Sequence, residues 1–169
     1  MGRHDNYSIQ FSGLSTGTHH FDFDVEEAFF EQFKNDEIKN SHISVSVELQ
    51  KHANMLELFF NIHGTLTVMC DICIDDVNIP ITSREKLIVK FSEDTATQDE
   101  ILTLPPGEHE INIAPYIYEF AVLALPAKRT HTANNCNKEM IKKINEHTKK
   151  ASTHDTDPRW AALKNIKLN

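Results

Sequence analysis

The chain has 169 residues, 40% of them hydrophobic and 25% charged, with a formal net charge of -8. That length suits a single core, and no apolar run approaches the ~20 residues that a bilayer-crossing helix needs. Three cysteines, Cys70, Cys73 and Cys136, are an odd and sparse set, which excludes a disulfide framework and fits a reducing compartment.

The net charge conceals an asymmetry. Residues 1–126 carry 7 Lys and Arg against 21 Asp and Glu, whereas residues 127–169 carry 10 against 4. The expected organisation is therefore an acidic domain over 1–126 and a basic segment over 127–169. A basic tail of this size is either a nucleic-acid-binding arm or a solvated Lys-rich helix. The N-terminal residues lead straight into polar–apolar alternation, without the apolar stretch and small-residue cleavage site of an export signal, so a cytoplasmic protein is expected.

Tyr7, Ile9 and Phe11 alternate with polar residues and predict an opening strand, ended by Gly13 and the loop 15–18. A short helix is predicted next. Asp24 would cap it, Glu27 would reciprocate three residues on, and Val25, Ala28, Phe29 and Phe33 would share one face. The strict alternation of Ile43, Val45, Val47 and Leu49 predicts a half-buried strand. A turn over His52, Ala53 and Asn54 then leads to a return strand whose Leu56, Leu58, Phe60, Ile62, Leu66, Val68 and Cys70 lie on one face. Gly64 interrupts that run as a bulge or a point of close approach.

Val77, Ile79 and Ile81 begin another strand, which Leu87, Val89 and Phe91 continue or follow, before a polar loop over 92–100. Residues 101–104, Pro105-Pro106-Gly107 and His109 to Ile113 read as a short connection and a final strand or edge piece. Pro115 suits the first position of a helix carrying Ile117, Phe120, Ala121 and Ala124 until Pro126 stops it. Further helices are predicted from Lys138 to about Lys149 and after the Asp157-Pro158 cap, with Trp160, Leu163 and Ile166 on one side. The expected class is α+β: mainly antiparallel β-sheet with a few packed helices and a basic helical C-terminal tail.

Cys70 and Cys73 stand at the CxxC spacing of a zinc knuckle, at a strand end where a tight turn can aim both sulfurs at one point. About sixty residues later His131 and Cys136 supply a second pair, which completes a Cys3His set. Four protein donors would close a tetrahedral zinc site and make it structural. The alternative is that Cys70 merely continues the buried face and the other two thiols are incidental. A redox role is disfavoured, because the residues after Cys73 read as turn and strand rather than as a helix that would lower a thiol pKa.

The remaining histidines lie in loops or on polar faces, and His63 falls opposite Leu56 and Leu58 as an exposed sheet residue. No HExxH, phosphate-binding glycine loop or nucleophile elbow occurs. Phe59 projects from the polar side of its strand and Trp160 sits in the basic tail. Each is either a partner contact or a core residue under another element.

The order of motifs resembles the YceD family of large-subunit ribosomal RNA accumulation proteins. Residues 64–73 (GTLTVMCDIC), 111–113 (INI), 117–126 (IYEFAVLALP), His131, Cys136 and 157–164 (DPRWAALK) carry the likeness. Ile72 stands where members often have Arg between the cysteines. The resemblance implies a small bacterial or plastid protein needed for normal accumulation of large-subunit rRNA, with no established enzymatic reaction.

The resulting expectation is a non-enzymatic assembly factor. It would bind large-subunit rRNA or its precursor through Lys128, Arg129, Lys142, Lys143, Lys149, Lys150 and Arg159, and its acidic body would attract a basic ribosomal protein. Structural zinc would be held by Cys70, Cys73, His131 and Cys136. The alternatives are a zinc-dependent hydrolase and an adaptor that binds protein alone.

Overall fold

The computed structural model describes residues 7–92, 101–132 and 135–148. The chain divides into two compact units, Met1–Cys136 and Asn137–Asn169. The first is α+β. Its elements run β1 (Ser8–Gln10), β2 (Gly17–Glu26), α1 (Glu27–Gln32), β3 (Ile38–Lys51), β4 (Met55–Met69), β5 (Asp76–Phe91), β6 (Ile101–Leu104), β7 (Glu110–Asn112) and α2 (Ala114–Leu123). The second contains α3 (Lys138–His147). Among the described residues, no helix is long and apolar enough to cross a membrane.

Five strands form one sheet in the order β2-β3-β4-β5-β6, antiparallel except for the parallel β5–β6 pair; β1 and β7 form a separate antiparallel pair. Register follows from the period-2 pattern, since a slip of one residue would turn every apolar side chain to solvent. Val45 stands opposite Ile62, Val47 opposite Phe60 and Leu49 opposite Leu58. These residues, with Leu56, Leu66, Val68, Ile79, Ile81 and Val89, are buried on one face. α2 packs on that face through the ring contact of Phe60 with Phe120 (5.2 Å), and the segment just after β1 does so through that of Phe11 with Phe91 (5.5 Å). The opposite face carries polar side chains such as His20, Asp22, His42, Asn61 and His63, all exposed.

The predicted β3–β4 hairpin is present with its turn at residues 52–54. At Gly64, a Cβ would meet the His42 carbonyl oxygen at 2.2 Å and the Ile43 Cα at 2.6 Å, so only glycine fits this close approach. β5 runs unbroken through both segments read from the sequence.

Several elements differ from expectation. Residues 17–26 form a strand paired with β3 over its whole length, so Asp24 lies in β2 and does not cap a helix. Helix α1 begins only at Glu27, has no side-chain cap bond, and is anchored by buried Phe29 and Phe30. The physical reason is that Phe21, Phe23 and Val25 face Val47, Val45 and Ile43 across the pair, and ten residues of ladder outweigh one capping box. Residues 101–104 are a strand rather than a connection. Pro115 is the second residue of α2, which ends before Pro126. The predicted third helix is present as α3, capped by the Asn137 side chain, which accepts from the amides of Glu139 and Met140. The loop segment 93–100, Lys149, Lys150 and the predicted terminal helix with Arg159 and Trp160 lie outside the described residues.

Candidate metal centre at the β4–β5 turn

The turn between β4 and β5 is built on backbone hydrogen bonds. The Cys70 amide donates to the Asp75 carbonyl (2.9 Å), and the Ile74 amide donates to the Cys70 carbonyl (3.0 Å). This tight ring places Cys73 beside Cys70 and drives Ile74 into the left-handed region at φ 66°. Both sulfurs come from nearly buried residues, 2% and 1% exposed.

The segment after α2 returns to this turn and is clamped to it. The Asp71 amide donates to the Arg129 carbonyl (2.8 Å), and the Arg129 amide donates to Asp71 Oδ2 (2.6 Å). The Arg129 guanidinium reaches Glu37 at 3.0 Å and Asp71 at 3.9 Å. That clamp delivers His131 and Cys136 to the two knuckle sulfurs.

The four side chains converge. Cys70 Sγ lies 3.9 Å from Cys136 Sγ, while His131 Nδ1 lies 3.5 Å from Cys73 Sγ and 3.8 Å from Cys136 Sγ. All four donor atoms lie within 4.8 Å of one another. Ligands placed ~2.0–2.3 Å from a tetrahedral zinc stand about 3.5–3.8 Å apart, and the separations of 3.5, 3.8 and 3.9 Å are close to that. They do not fit a disulfide, whose sulfurs sit ~2.05 Å apart, and the cysteines are free.

The imidazole is oriented for this role. Its Nε2 lies 3.1 Å from the Asp76 carbonyl oxygen, which accepts only, so Nε2 carries the proton and Nδ1 keeps its lone pair toward the sulfurs.

The thiols titrate apart. Burial pushes Cys70 up, but the backbone amides of Cys73, Ile72 and His131 and the His131 ring outweigh it and bring Cys70 down to about 6. Cys136 goes up to about 11, through burial and then through the Cys70 and Cys73 sulfurs beside it. The Cys70 thiolate forms readily and opposes ionisation of Cys136 beside it; a divalent cation between them removes that opposition. The donor set, the spacing and the histidine tautomer therefore fit zinc. Cys70 is buried just after β4, and its sulfur lies within 4.8 Å of the other three donor atoms.

The expected RNA-contact residues have different surroundings. Arg129 is engaged by two carboxylates, and Lys142 pairs with Glu146 at 4.0 Å along α3. Lys128 and Lys143 are exposed. His63 is exposed as expected, and Phe59 is half-buried with Lys86 Nζ 5.1 Å from its ring centroid. The Arg129 clamp and the Asp76 carbonyl are not foreseeable from sequence, since a basic residue far along the chain and a backbone oxygen leave no motif.

Comparison with curated proteins and with solved structures returned no significant match. A family model described as the large ribosomal RNA subunit accumulation protein YceD matches residues 58–167, well over half of the chain, and spans all four clustered donors. The protein belongs to the YceD family.

Proposed function

We propose that the protein supports accumulation of large-subunit rRNA as a non-enzymatic assembly factor in the cytoplasm, holding RNA or a ribosomal protein on a scaffold fastened by zinc. Membership of a family described by that role carries the reading. The clustered donors agree with it. Four protein ligands leave no position for a catalytic water, which a zinc hydrolase requires. In this account Cys70, Cys73, His131 and Cys136 tie the segment after α2 to the sheet, and the ion supplies charge neutralisation and cross-linking.

RNA phosphate would be met by Lys128, Arg129, Lys142, Lys143, Lys149, Lys150 and Arg159, of which Lys128 and Lys143 are exposed and Arg129 would have to share its ties to Glu37 and Asp71. The adaptor reading keeps one observation in its favour, the excess of 21 acidic over 7 basic residues in 1–126. RNA crosslinking of the protein in its own cells separates the two. The assembly-factor account expects crosslinks to large-subunit rRNA that are lost when Lys142, Lys143, Lys149 and Lys150 are replaced together. Retention and salt dependence unchanged by that replacement would overturn the tail assignment. Cobalt substitution tests the centre: a thiolate-rich tetrahedral spectrum is expected, and an octahedral, water-bearing one would count against a closed site.

A further inference from the structure

The sheet has an open edge along β2. All 10 residues of this strand pair with β3 in unbroken register, and among the described residues no strand pairs with its other side. Two hydrogen bonds fix which backbone groups face outward. At the β3–β4 hairpin the His52 amide donates to the Met55 carbonyl (3.0 Å), so even-numbered residues of β3 point their backbone groups toward β4 and odd-numbered ones toward β2. Val45, Val47 and Leu49 therefore bond Phe23, Phe21 and His19, and the amides and carbonyls of Thr18, His20, Asp22 and Asp24 face away from the sheet. The Asp24 carbonyl accepts from the Tyr7 hydroxyl at 3.0 Å, in agreement with that direction.

An edge strand of this length is ordinarily blunted by Lys, Pro, a bulge or a covering element. β2 contains no Lys, Arg or Pro, and its register with β3 has no bulge. On the core side Phe21 and Phe23 are only half-buried, whereas Val47 and Val45 opposite them are each 1% exposed. One more strand would cover both rings.

The charges along β2 select a second copy of β2 as that strand. Two copies can pair antiparallel about a two-fold axis, and their side-chain faces match only when the axis passes through a residue position. Centred on Asp22, the pairing sets Asp22 against itself; centred on Phe23, it sets Asp22 against Asp24; centred on His20, it sets the two imidazoles together and shortens the ladder. Centred on Phe21, it places His20 opposite Asp22 of the second copy twice over, and no carboxylate faces another across the axis. His20 already stands opposite Glu48 within the sheet, so the imidazole would lie between two carboxylates. On the core face Phe21 would meet Phe21, and Phe23 would meet His19.

We infer that β2 is a homodimerisation edge, at which two copies of the chain join antiparallel about Phe21 into one continuous sheet. This goes beyond the function proposed above and does not depend on it.

The test uses the full, zinc-loaded chain. Sedimentation equilibrium over a protein-concentration series should show a monomer–dimer equilibrium, and exchange of the Thr18, His20 and Asp22 amides should slow as dimer accumulates. The Phe21 and Phe23 amides, already bonded to β3, should change little. Asp22→Lys sets a cation against His20 of the second copy and should weaken dimerisation at least about tenfold. Disulfide trapping reads the register, because Phe21 would form a non-hydrogen-bonded pair with its own copy, close enough for a disulfide. In a glutathione redox buffer, with the parent chain as control for the native cysteines, Phe21→Cys should crosslink to itself. His19→Cys and Phe23→Cys should crosslink when mixed and not when alone. A chain that is monomeric at every concentration, a dimer whose exchange at those three amides is unchanged or that is indifferent to Asp22→Lys, or trapping in another register would each overturn the inference.

Discussion

Single residues in this fold carry costs that substitution can expose. Ile74 holds a left-handed backbone at φ 66° with most of its side chain in solvent. Replacing it with glycine should raise unfolding stability by about 1 kcal/mol, read by denaturant titration, since the left-handed conformation costs an L-residue roughly 1–2 kcal/mol. Ser41 is 5% exposed and its hydroxyl has no hydrogen-bond partner among the described residues. Ser41→Ala should therefore be neutral or stabilising, by up to about 1 kcal/mol, and a loss of more than that amount would reveal a partner for the hydroxyl. Gly64→Ala should have the opposite sign. The added methyl meets backbone rather than a movable side chain, and a cost of roughly 3 kcal/mol is expected, with the β3–β4 ladder the first to lose amide protection. Gly64 is legible in the sequence because it breaks an otherwise regular run of apolar residues. Ile74 is not, because the sign of its φ is set by the hydrogen-bonded ring around Cys70, and nothing in the side chain announces it.

Among the elements, the strands that alternate strictly are the most readable. Ile43 to Leu49 and Leu56 to Val68 could bury a continuous face only as a long antiparallel pair. β2 is disguised in the sequence because the Asp24–Glu27 spacing imitates a capping box, while its own alternation of Phe21, Phe23 and Val25 becomes decisive only with β3 as a partner. The parallel pairing of β6 depends on the path of the chain between two strands and has no local signature. The loop before β2 is held from a distance. Lys51 Nζ donates to the carbonyls of Phe11 (2.8 Å), Ser12 (3.3 Å) and Leu14 (2.8 Å). Lys51→Met keeps the stem but leaves these carbonyls without their charged donor. It should cost about 1.5–3 kcal/mol and speed amide exchange over residues 11–16. The segment 127–136 should behave as a strap. Removing zinc with a chelator, or replacing Cys136 with Ser, is expected to increase amide exchange there while the β3–β4 hairpin stays protected. Unchanged exchange after complete metal removal would mean that the Arg129 clamp alone holds the strap.

For the whole molecule, the candidate site is readable at the level of residue identity: all four donors stand out as Cys and His pairs, and the fold brings them within 4.8 Å. How they meet is not readable, because the convergence depends on the Asp71–Arg129 contact between segments far apart in the chain. Charge is segregated along the chain, with the excess of acid in residues 1–126 and of base in residues 127–169. That segregation fits a protein with two kinds of partner: polyanionic RNA at the basic end and cationic protein at the acidic end. Association through phosphate contacts must weaken as salt rises, because counterions released on binding are then less favourably dispersed. The most direct test of the assembly role is gradient sedimentation of the tagged protein from its own cells over a salt series, with rRNA probed in each fraction. The account predicts co-migration with large-subunit precursors that declines steadily as salt increases. Migration only as free protein, even at the lowest salt, would contradict it.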